Sequence, residues 1–124
     1  MTISVGEKDF TAYVIDLMQG MGPVTSKKMF GGIGIFLDGL MFGLIAGNEL
    51  YLKTDEENSN EFDALGLLPF VYSKQGKELK MSYIQAPAET MENSELMTLW
   101  ANIGFGAAAR AAGKKAKNSK EVGS

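Results

Sequence analysis

The feature that most restricts the fold is a run of three short apolar segments joined by two-residue turns. The segments read MFGGIGIFL (29–37), LMFGLIA (40–46) and ELYLKT (49–54), and the dipeptides between them are Asp38-Gly39 and Gly47-Asn48. Asp, Asn and Gly tolerate the positive φ angles that tight hairpin turns require. The run therefore predicts three strands in an antiparallel meander.

An amphipathic pattern predicts a helix before this meander. The stretch Ser4–Glu7 forms a capping box, in which the Ser and Glu side chains each satisfy a backbone N–H group. The apolar stripe of Phe10, Val14 and Leu17 follows at helical spacing, and Gly20 is placed as a C-terminal cap. We therefore predict a first helix that ends near Gly20.

A second helix and two further strands are predicted after the meander. A capping box at Thr54–Glu57 indicates a short helix, which Gly66 closes. The segments FVYSK (70–74) and LKMSYIQA (79–86) are typical of strands and are separated by the turn-forming QGKE. The sequence thus predicts five strands in all.

The order of the elements decides the fold class. A last helix is expected over Asn93–Ala112, with Gly113 as its cap. The order is then helix, three strands, helix, two strands, helix. Because the strands come in hairpins and not singly between helices, the predicted fold is α+β with an antiparallel sheet. We expect one domain over residues 1–113 and a basic, disordered tail over residues 114–124.

The glycine cluster after the two lysines does not fit a phosphate-binding loop. Gly34 and Gly39 have the spacing of a Walker loop, but Leu40 stands where the lysine must be. A dinucleotide-binding loop that starts at Gly32 would need glycine or alanine at Leu37, and a helix after it. We therefore interpret the glycines as structural, placed at a strand bulge or where neighbouring atoms pack closely.

The composition excludes several kinds of chemistry. The chain contains neither cysteine nor histidine, which removes disulfides, thiolate nucleophiles, the usual proton shuttle and the commonest metal ligand. The acidic run from Asp55 to Asp63 lacks the alternating ligands and central glycine of a calcium loop. Any enzyme built on this chain would have to use carboxylates, lysines and tyrosines alone. We expect that the protein is not an enzyme, and we expect no catalytic residue, metal site or cofactor.

The charge of the chain is unevenly distributed. Residues from Arg110 onward include five Lys or Arg and one Glu, which gives this end a net charge of +4. Because the net charge of the whole chain is −3, residues 1–109 have a net charge of −7. A body this acidic is a poor binder of nucleic-acid backbone, so any such contact would fall to Lys27, Lys28 and the basic tail. The chain has no run of about 18 apolar residues and no signal-peptide pattern, so we expect a cytoplasmic protein without membrane contact.

Three short motifs are specific for one protein family when taken together: Met-Phe-Gly-Gly, Leu-Tyr-Leu-Lys and Tyr-x-x-Ala-Pro. They lie within four longer blocks, which are the run from Met29 to Asn58, FDALGLLPFVY (62–72), KMSYIQAP (80–87) and LWANIGFGAAARAA (99–112). Over roughly Met18 to Ala112 the chain resembles the N-terminal domain of TfoX (Sxy), the bacterial regulator of natural competence. The resemblance implies a small α+β domain of the secretion-chaperone-like type, a non-enzymatic regulatory role, and protein partners in the transcription or competence machinery.

The resemblance also bears on the extent of the protein. Competence regulators of this kind carry a second, C-terminal domain, to which nothing in these blocks corresponds. We therefore expect either a stand-alone member of the family, without the C-terminal domain, or a piece cut from a longer chain.

The candidate interaction surface consists of six basic or aromatic residues in or beside the predicted strands: Lys27, Lys28, Phe30, Tyr51, Lys53 and Tyr83. A lysine beside tyrosines could be a desolvated base or a ligand anchor. More often its stem covers an aromatic ring while its ammonium stays in water. Three classes of function stay open: a protein-interaction domain, a nucleic-acid contact through Lys27, Lys28 and the tail, and a small-molecule-binding domain.

Apolar residues on both faces of the predicted strands also indicate self-association. On the first strand one face carries Met29, Ile33, Ile35 and Leu37 and the other Phe30 and Phe36, while on the second Phe42 and Leu44 oppose Met41 and Ile45. One layer of helices covers only one face of a sheet, which leaves the other face or an edge exposed. We therefore expect a symmetric homodimer.

Overall fold

The computed structural model describes residues 5–29 and 31–123 of the chain. The helices are α1 (Val5–Leu17), α2 (Ser59–Asp63) and α3 (Ser94–Gly123), and two 3-10 turns span Gln19–Met21 and Ala88–Glu92. The strands are β1 (Thr25–Met29), β2 (Gly32–Leu37), β3 (Leu40–Ala46), β4 (Glu49–Lys53), β5 (Pro69–Lys74) and β6 (Lys77–Gln85). None of the described helices is long and apolar enough to cross a membrane.

The strands form one antiparallel sheet in the order β1-β2-β3-β4-β6-β5. The α+β class with an antiparallel sheet is thus confirmed, but the predicted count of five strands is wrong. The meander has four strands instead of three, because a turn at Gly31, with φ of 73°, splits the predicted first strand into β1 and β2. Most of β1 is polar and exposed, so it lacks the apolar alternation that marks a half-buried strand.

The extra turn changes which side chains share a face. Met29 pairs with Gly32 across the β1–β2 hairpin. Its Sδ lies 2.8 Å from the position that a Cβ would take on Gly34. The prediction that Met29 shares a face with Ile33 and Ile35 is therefore wrong, because Met29 packs over the opposite face, where Gly34 leaves room for it.

The tight turns agree with the prediction. Asp38-Gly39 has φ angles of 52° and 77°, and Gly47-Asn48 has φ angles of 57° and 58°. A third turn of the same kind, Gln75-Gly76, joins β5 and β6 with φ angles of 51° and 78°. Two consecutive residues with positive φ are the mark of the hairpin turns whose twist suits paired strands.

The main core lies between the helices and one face of the sheet. The sheet contributes Ile35, Ile45 and Leu52, which pack with Val14 of α1 and Met97 of α3. A Cβ on Gly104 of α3 would lie 3.2 Å from both the Leu52 Cβ and the Phe42 carbonyl oxygen. The missing side chain at this position lets α3 approach the backbone of β3 and β4 directly.

A bulge in β3 corrects a second prediction about the faces. Ile35 pairs with Gly43 and Phe36 pairs with Met41, so that Phe42 is an extra residue in β3. The bulge turns the Phe42 side chain into the main core, where its ring centroid lies 6.0 Å from that of Phe105. Phe42 therefore joins Ile45 in the core, whereas simple alternation predicted opposite faces.

The helix boundaries agree with the prediction only in part. Val14 is fully buried and Phe10 and Leu17 pack against the core as expected, while Ser4 lies outside the described residues. The predicted cap at Gly20 is wrong, since Gly20 continues into a 3-10 turn and the positive φ of 126° occurs at Gly22.

The second helix begins later than its sequence pattern indicated. It starts at Ser59, because Asp55, and not Thr54, accepts hydrogen bonds from the N–H groups of Glu57 and Asn58 in the turn before it. Gly66, with φ of 68°, ends α2 as predicted.

The helix end predicted at Gly113 is wrong. Helix α3 continues through Gly113 to Gly123, and Gly113 does not have the positive φ of a C-terminal cap. The separation of a domain over residues 1–113 from a disordered tail over residues 114–124 stays a prediction.

A Gly113→Ala substitution tests this boundary. Alanine in the interior of a helix is more favourable than glycine by up to about 1 kcal/mol, whereas alanine at a left-handed cap is strained. Within the described part of the chain, and apart from the chain neighbours and the backbone of α3 itself, no atom lies within 4 Å of the position of a Cβ on Gly113. We expect the substitution to raise helicity and the melting temperature, measured by circular dichroism, and a fall in both would restore the predicted cap.

Candidate interaction surface

The register of the strands brings half of the predicted surface residues together. Tyr51 and Lys53 alternate with the buried Leu52 along β4 and so share the face opposite the main core. Lys53 pairs with Tyr83 of β6. Because residues paired across neighbouring strands point to the same side of a sheet, Tyr83 joins them on that face.

The side chain of Lys53 is held in place by two contacts. Its Nζ donates a hydrogen bond to Ser82 Oγ at 2.7 Å and lies 5.1 Å from the centroid of the Tyr83 ring. The second distance is within the range of a cation–π interaction. The Lys53 ammonium is therefore held between Ser82 Oγ and the Tyr83 ring.

Tyr83 is the buried member of this group. Only 6% of its surface is exposed, and its hydroxyl donates a hydrogen bond to the Met41 carbonyl oxygen at 3.2 Å. Burial raises the pKa of Tyr83 to about 12. Tyr83 thus connects β6 to β3 across β4, and its ring is the surface that the Lys53 ammonium contacts.

The pKa of Tyr83 gives a testable dependence of stability on pH. The unfolded tyrosine ionises near its ordinary pKa of 10.0 and the folded one near 12. The stability that the protonated tyrosine contributes is therefore fully present below pH 10 and is lost as the pH rises through that interval. We expect a Tyr83→Phe variant to unfold less steeply with rising pH than wild type in urea titrations; equal slopes would contradict the burial of the hydroxyl.

A second aromatic pair lies beside this group. The rings of Tyr51 and Phe70 meet edge to face, with centroids 5.2 Å apart and an interplanar angle of 61°. Burial raises the pKa of Tyr51, and the Glu49 carboxylate raises it further. We call the surface formed by Tyr51, Lys53, Phe70 and Tyr83 the aromatic face. Phe70 was not predicted as part of the surface, because only the strand order brings β5 close to β4.

The remaining predicted residues do not join the aromatic face. Lys27 and Lys28 lie on the edge strand β1, where they pair with Gly34 and Ile33 and so point to opposite sides of the sheet. Three strand spacings, or about 14 Å, separate Lys27 from Tyr51. Phe30 lies outside the described residues. The two lysines therefore do not form a single basic patch on β1.

Two shallow cavities border Lys53 where α3 passes the ends of β3 and β4. One, of about 270 Å³, is lined by Leu40, Met41, Lys53, Tyr83, Ala108, Ala111 and Ala112. The other, of about 320 Å³, is lined by Lys53, Thr54, Asp55, Glu56, Ser82, Ala107, Ala111 and Lys114. The small alanine side chains of α3 leave this space beside the aromatic face.

An ion pair ties α3 to the loop after β4. The Arg110 guanidinium donates to both carboxylate oxygens of Asp55, at 2.6 Å and 3.0 Å, and also contacts Glu57. Arg110 holds the pKa of Asp55 below its ordinary value, and the N–H groups of Asn58 and Glu57 act in the same direction against the opposing effect of burial. A lowered carboxyl pKa stabilises the folded state at neutral pH, and this contribution is lost as the pH falls through the folded pKa.

The acidic run that contains Asp55 forms no obvious metal site. Within residues 5–29 and 31–123, no three carboxylate side chains are grouped so that they could hold a metal ion. Asp55 and Glu57 are instead engaged with Arg110.

Asn58 is a buried polar residue that sequence reasoning missed. Only 3% of its surface is exposed. Its Nδ2 donates to the carbonyl oxygens of Lys53 at 3.2 Å and Ile103 at 3.0 Å, and its Oδ1 accepts from the Asp55 N–H at 2.9 Å. The Asn58 side chain thus connects three parts of the fold: the end of β4 at Lys53, the loop before α2, and α3.

Comparison with known proteins agrees with the resemblance seen in the sequence. Residues 16–108, most of the chain, match the family model of the TfoX N-terminal domain. The chain belongs to the TfoX N-terminal domain family. It is 28% identical over 95 residues to the DNA transformation protein TfoX1 of Aliivibrio fischeri, an alignment that covers 65% of this chain and 46% of that protein. The chain therefore spans about half the length of this relative.

Proposed function

We propose that this chain is a non-enzymatic regulatory domain that contacts protein through its aromatic face. Its family supports a role like that of a competence regulator, since the related protein from Aliivibrio fischeri is a DNA transformation protein. The proposed partner is a component of the transcription or competence machinery of a bacterial cytoplasm. No catalytic residue or cofactor has a part in this function.

The observation that carries the proposal is the arrangement of Tyr51, Phe70 and Lys53. The two rings lie in contact on the sheet face opposite the main core, and both are half-buried. Aromatic residues are enriched at protein interfaces and supply much of the binding energy there. Ser82 and Tyr83 already hold the Lys53 side chain in position beside the two rings. Binding of a partner therefore costs little conformational entropy at Lys53.

Retention of a partner from a bacterial extract tests the proposal. The wild-type chain, immobilised, is expected to retain proteins of the transcription or competence machinery, identified by mass spectrometry. A Tyr51→Ala/Phe70→Ala variant should retain at least tenfold less, because truncation of interface aromatics commonly costs more than about 2 kcal/mol.

A matched control separates this effect from non-specific hydrophobic binding. Leu99 is a large apolar residue of α3 that is 55% exposed and lies outside the aromatic face. A Leu99→Ala variant should retain the partner as wild type does. Equal retention by wild type and the Tyr51→Ala/Phe70→Ala variant would contradict the proposal.

The two other classes of function predict different measurements. A nucleic-acid contact through Lys27, Lys28 and the basic tail would give DNA retention that falls steeply with salt, because bound counterions are released. A small-molecule-binding domain would show a melting temperature that rises with ligand. A cavity of about 440 Å³, with an apolar wall that includes Phe10, Leu50 and Met91, is one place for such a ligand.

A further inference from the structure

A cavity separate from the aromatic face lies at the other end of β4. Its volume is about 440 Å³, and it is enclosed by α1, the start of β4, the end of β6 and the 3-10 turn at Ala88–Glu92. This volume is within the range of small-molecule sites, about 300–1,000 Å³. No residue of the aromatic face lines it. We call it the Glu49–Glu92 cavity, after two carboxylates in its lining.

The walls of the cavity are mostly apolar and are held in place by the main core. Leu50 is only 1% exposed and belongs to that core. Phe10, Leu67 and Met91 are half-buried and pack against it. Because the core fixes these side chains, the walls exist before any ligand binds. An apolar group placed between them would remove their remaining exposed surface from water.

The 3-10 turn that carries Met91 and Glu92 is also fixed. Thr90 is fully buried, and its hydroxyl donates a hydrogen bond to the Pro87 carbonyl oxygen at 2.7 Å. The Tyr13 hydroxyl of α1 donates to the Met91 carbonyl oxygen. These two hydrogen bonds hold the turn together and attach it to α1. The cavity is therefore largely pre-formed, which lowers the entropic cost of binding.

Backbone groups along the cavity are already paired within the fold. The Ala86 N–H donates to the Leu50 carbonyl oxygen at 2.8 Å, and the Gln85 N–H donates to the Leu68 carbonyl oxygen at 2.9 Å. The Gln85 side chain is used as well, since its Oε1 accepts from the Leu68 N–H at 3.1 Å. A ligand is therefore recognised here through side chains, and not as an added strand.

The charges that line the cavity are all negative. Glu49 and Glu92 are both exposed, and within the described part of the chain neither takes part in an ion pair. No lysine or arginine is among the described residues of the lining. An ionised carboxylate only accepts hydrogen bonds, and its strongest partners are positively charged donors. The cavity therefore favours a cation and repels an anion.

We propose that the Glu49–Glu92 cavity binds a small organic cation, in which an ammonium or guanidinium group is attached to a compact apolar body. The cationic group lies at the two carboxylates, and the apolar body fills the space between Phe10, Leu50 and Met91. The ligand then contacts α1, β4 and the 3-10 turn at once, so that it stabilises the folded chain. This site gives the domain a small-molecule ligand in addition to its protein contact.

Titration with two simple amines tests the proposal. Phenethylamine and 3-methylbutylamine carry an aromatic and an aliphatic body on the same ammonium group, and 2-phenylethanol is the neutral match of the first. In NMR titrations at millimolar ligand, at least one amine should shift the amide resonances of Leu50, Ala86 and Met91. If phenethylamine binds, its affinity should exceed that of 2-phenylethanol by about tenfold. The affinity of a bound amine should fall as salt is added, because salt screens exposed charges.

A pair of charge variants locates the cation. Glu49→Gln/Glu92→Gln should weaken amine binding by about tenfold, because it removes both negative charges from the cavity. The matched control is Glu61→Gln/Glu89→Gln, which changes two exposed carboxylates outside the lining and alters the net charge equally. The control should bind the amine as wild type does. Circular dichroism establishes that both variants are folded.

Four results would overturn the proposal. The first is that neither amine shifts the cavity resonances at millimolar concentration. The second is that phenethylamine and 2-phenylethanol bind equally well. The third is that both double variants bind as wild type does or lose the same affinity, which would remove the two carboxylates from the site. The fourth is that the cavity resonances shift with protein concentration alone, which would assign the cavity to a second copy of the chain.

Discussion

An Asn58→Ala variant is expected to unfold with a free energy about 3 kcal/mol lower than that of wild type. The substitution removes a hydrogen bond from the Lys53 carbonyl, the Ile103 carbonyl and the Asp55 N–H, in a site where Asn58 is only 3% exposed. Buried polar groups without partners are costly because they have given up water and gained nothing in return. Urea unfolding monitored by circular dichroism measures the loss.

Asn60 provides the matched control for this prediction. It is an exposed asparagine of α2, two residues after Asn58, which precedes that helix. Asn60→Ala should change the free energy of unfolding by less than about 0.5 kcal/mol, as is usual for surface substitutions. If both variants lost the same small amount, Asn58 would not join α3 to the sheet.

A Gly32→Ala variant is expected to lose about 3 kcal/mol of stability, a large cost for one methyl group. The added Cβ would lie 2.3 Å from the Ile45 carbonyl oxygen and 3.3 Å from the Ala46 Cβ. The first contact is with backbone in the neighbouring strand β3, which cannot rotate away as a flexible side chain can. The strands must therefore move apart.

The control for Gly32 is Gly6, a glycine of α1. Among the described residues, and apart from its chain neighbours and its own helix backbone, no atom lies within 4 Å of the position of its Cβ, so Gly6→Ala should not destabilise the protein. Thermal unfolding of the two variants separates a specific clash from a general effect of removing glycine. Heat of binding in a calorimetric titration of wild type with millimolar nucleotide would argue against the structural interpretation of this glycine cluster.

The parts of the fold that were predictable from the sequence depend on short-range chemistry. The dipeptides Asp38-Gly39 and Gly47-Asn48 adopt the positive φ angles that their residue types favour, whatever the rest of the chain does. The structural interpretation of Gly32 and Gly34 also agrees with the structure, because neither has room for a side chain. Strand β1 was missed because its exposed polar residues give no periodic signal.

The candidate site was harder to predict than the turns, because it is formed by contacts between residues that are far apart in the sequence. The pairing of Tyr51 with Phe70 requires β6 to lie between β4 and β5, an order that no local pattern encodes. Asn58 contacts Ile103, 45 residues further along the chain. Period-two alternation is local and placed Tyr51 and Lys53 on one face of their strand, whereas the pairing of Lys53 with Tyr83 across β4 and β6 needed the structure.

Site-specific photo-crosslinking tests the proposed protein contact most directly. A benzoyl-phenylalanine at position 70 is close in shape to Phe70, which lies in the aromatic face. Irradiation in bacterial extract is expected to link this position to a protein of the transcription or competence machinery, while the same group in place of Leu99 gives no such product. Crosslinks to that protein from position 99 and none from position 70 would contradict the account.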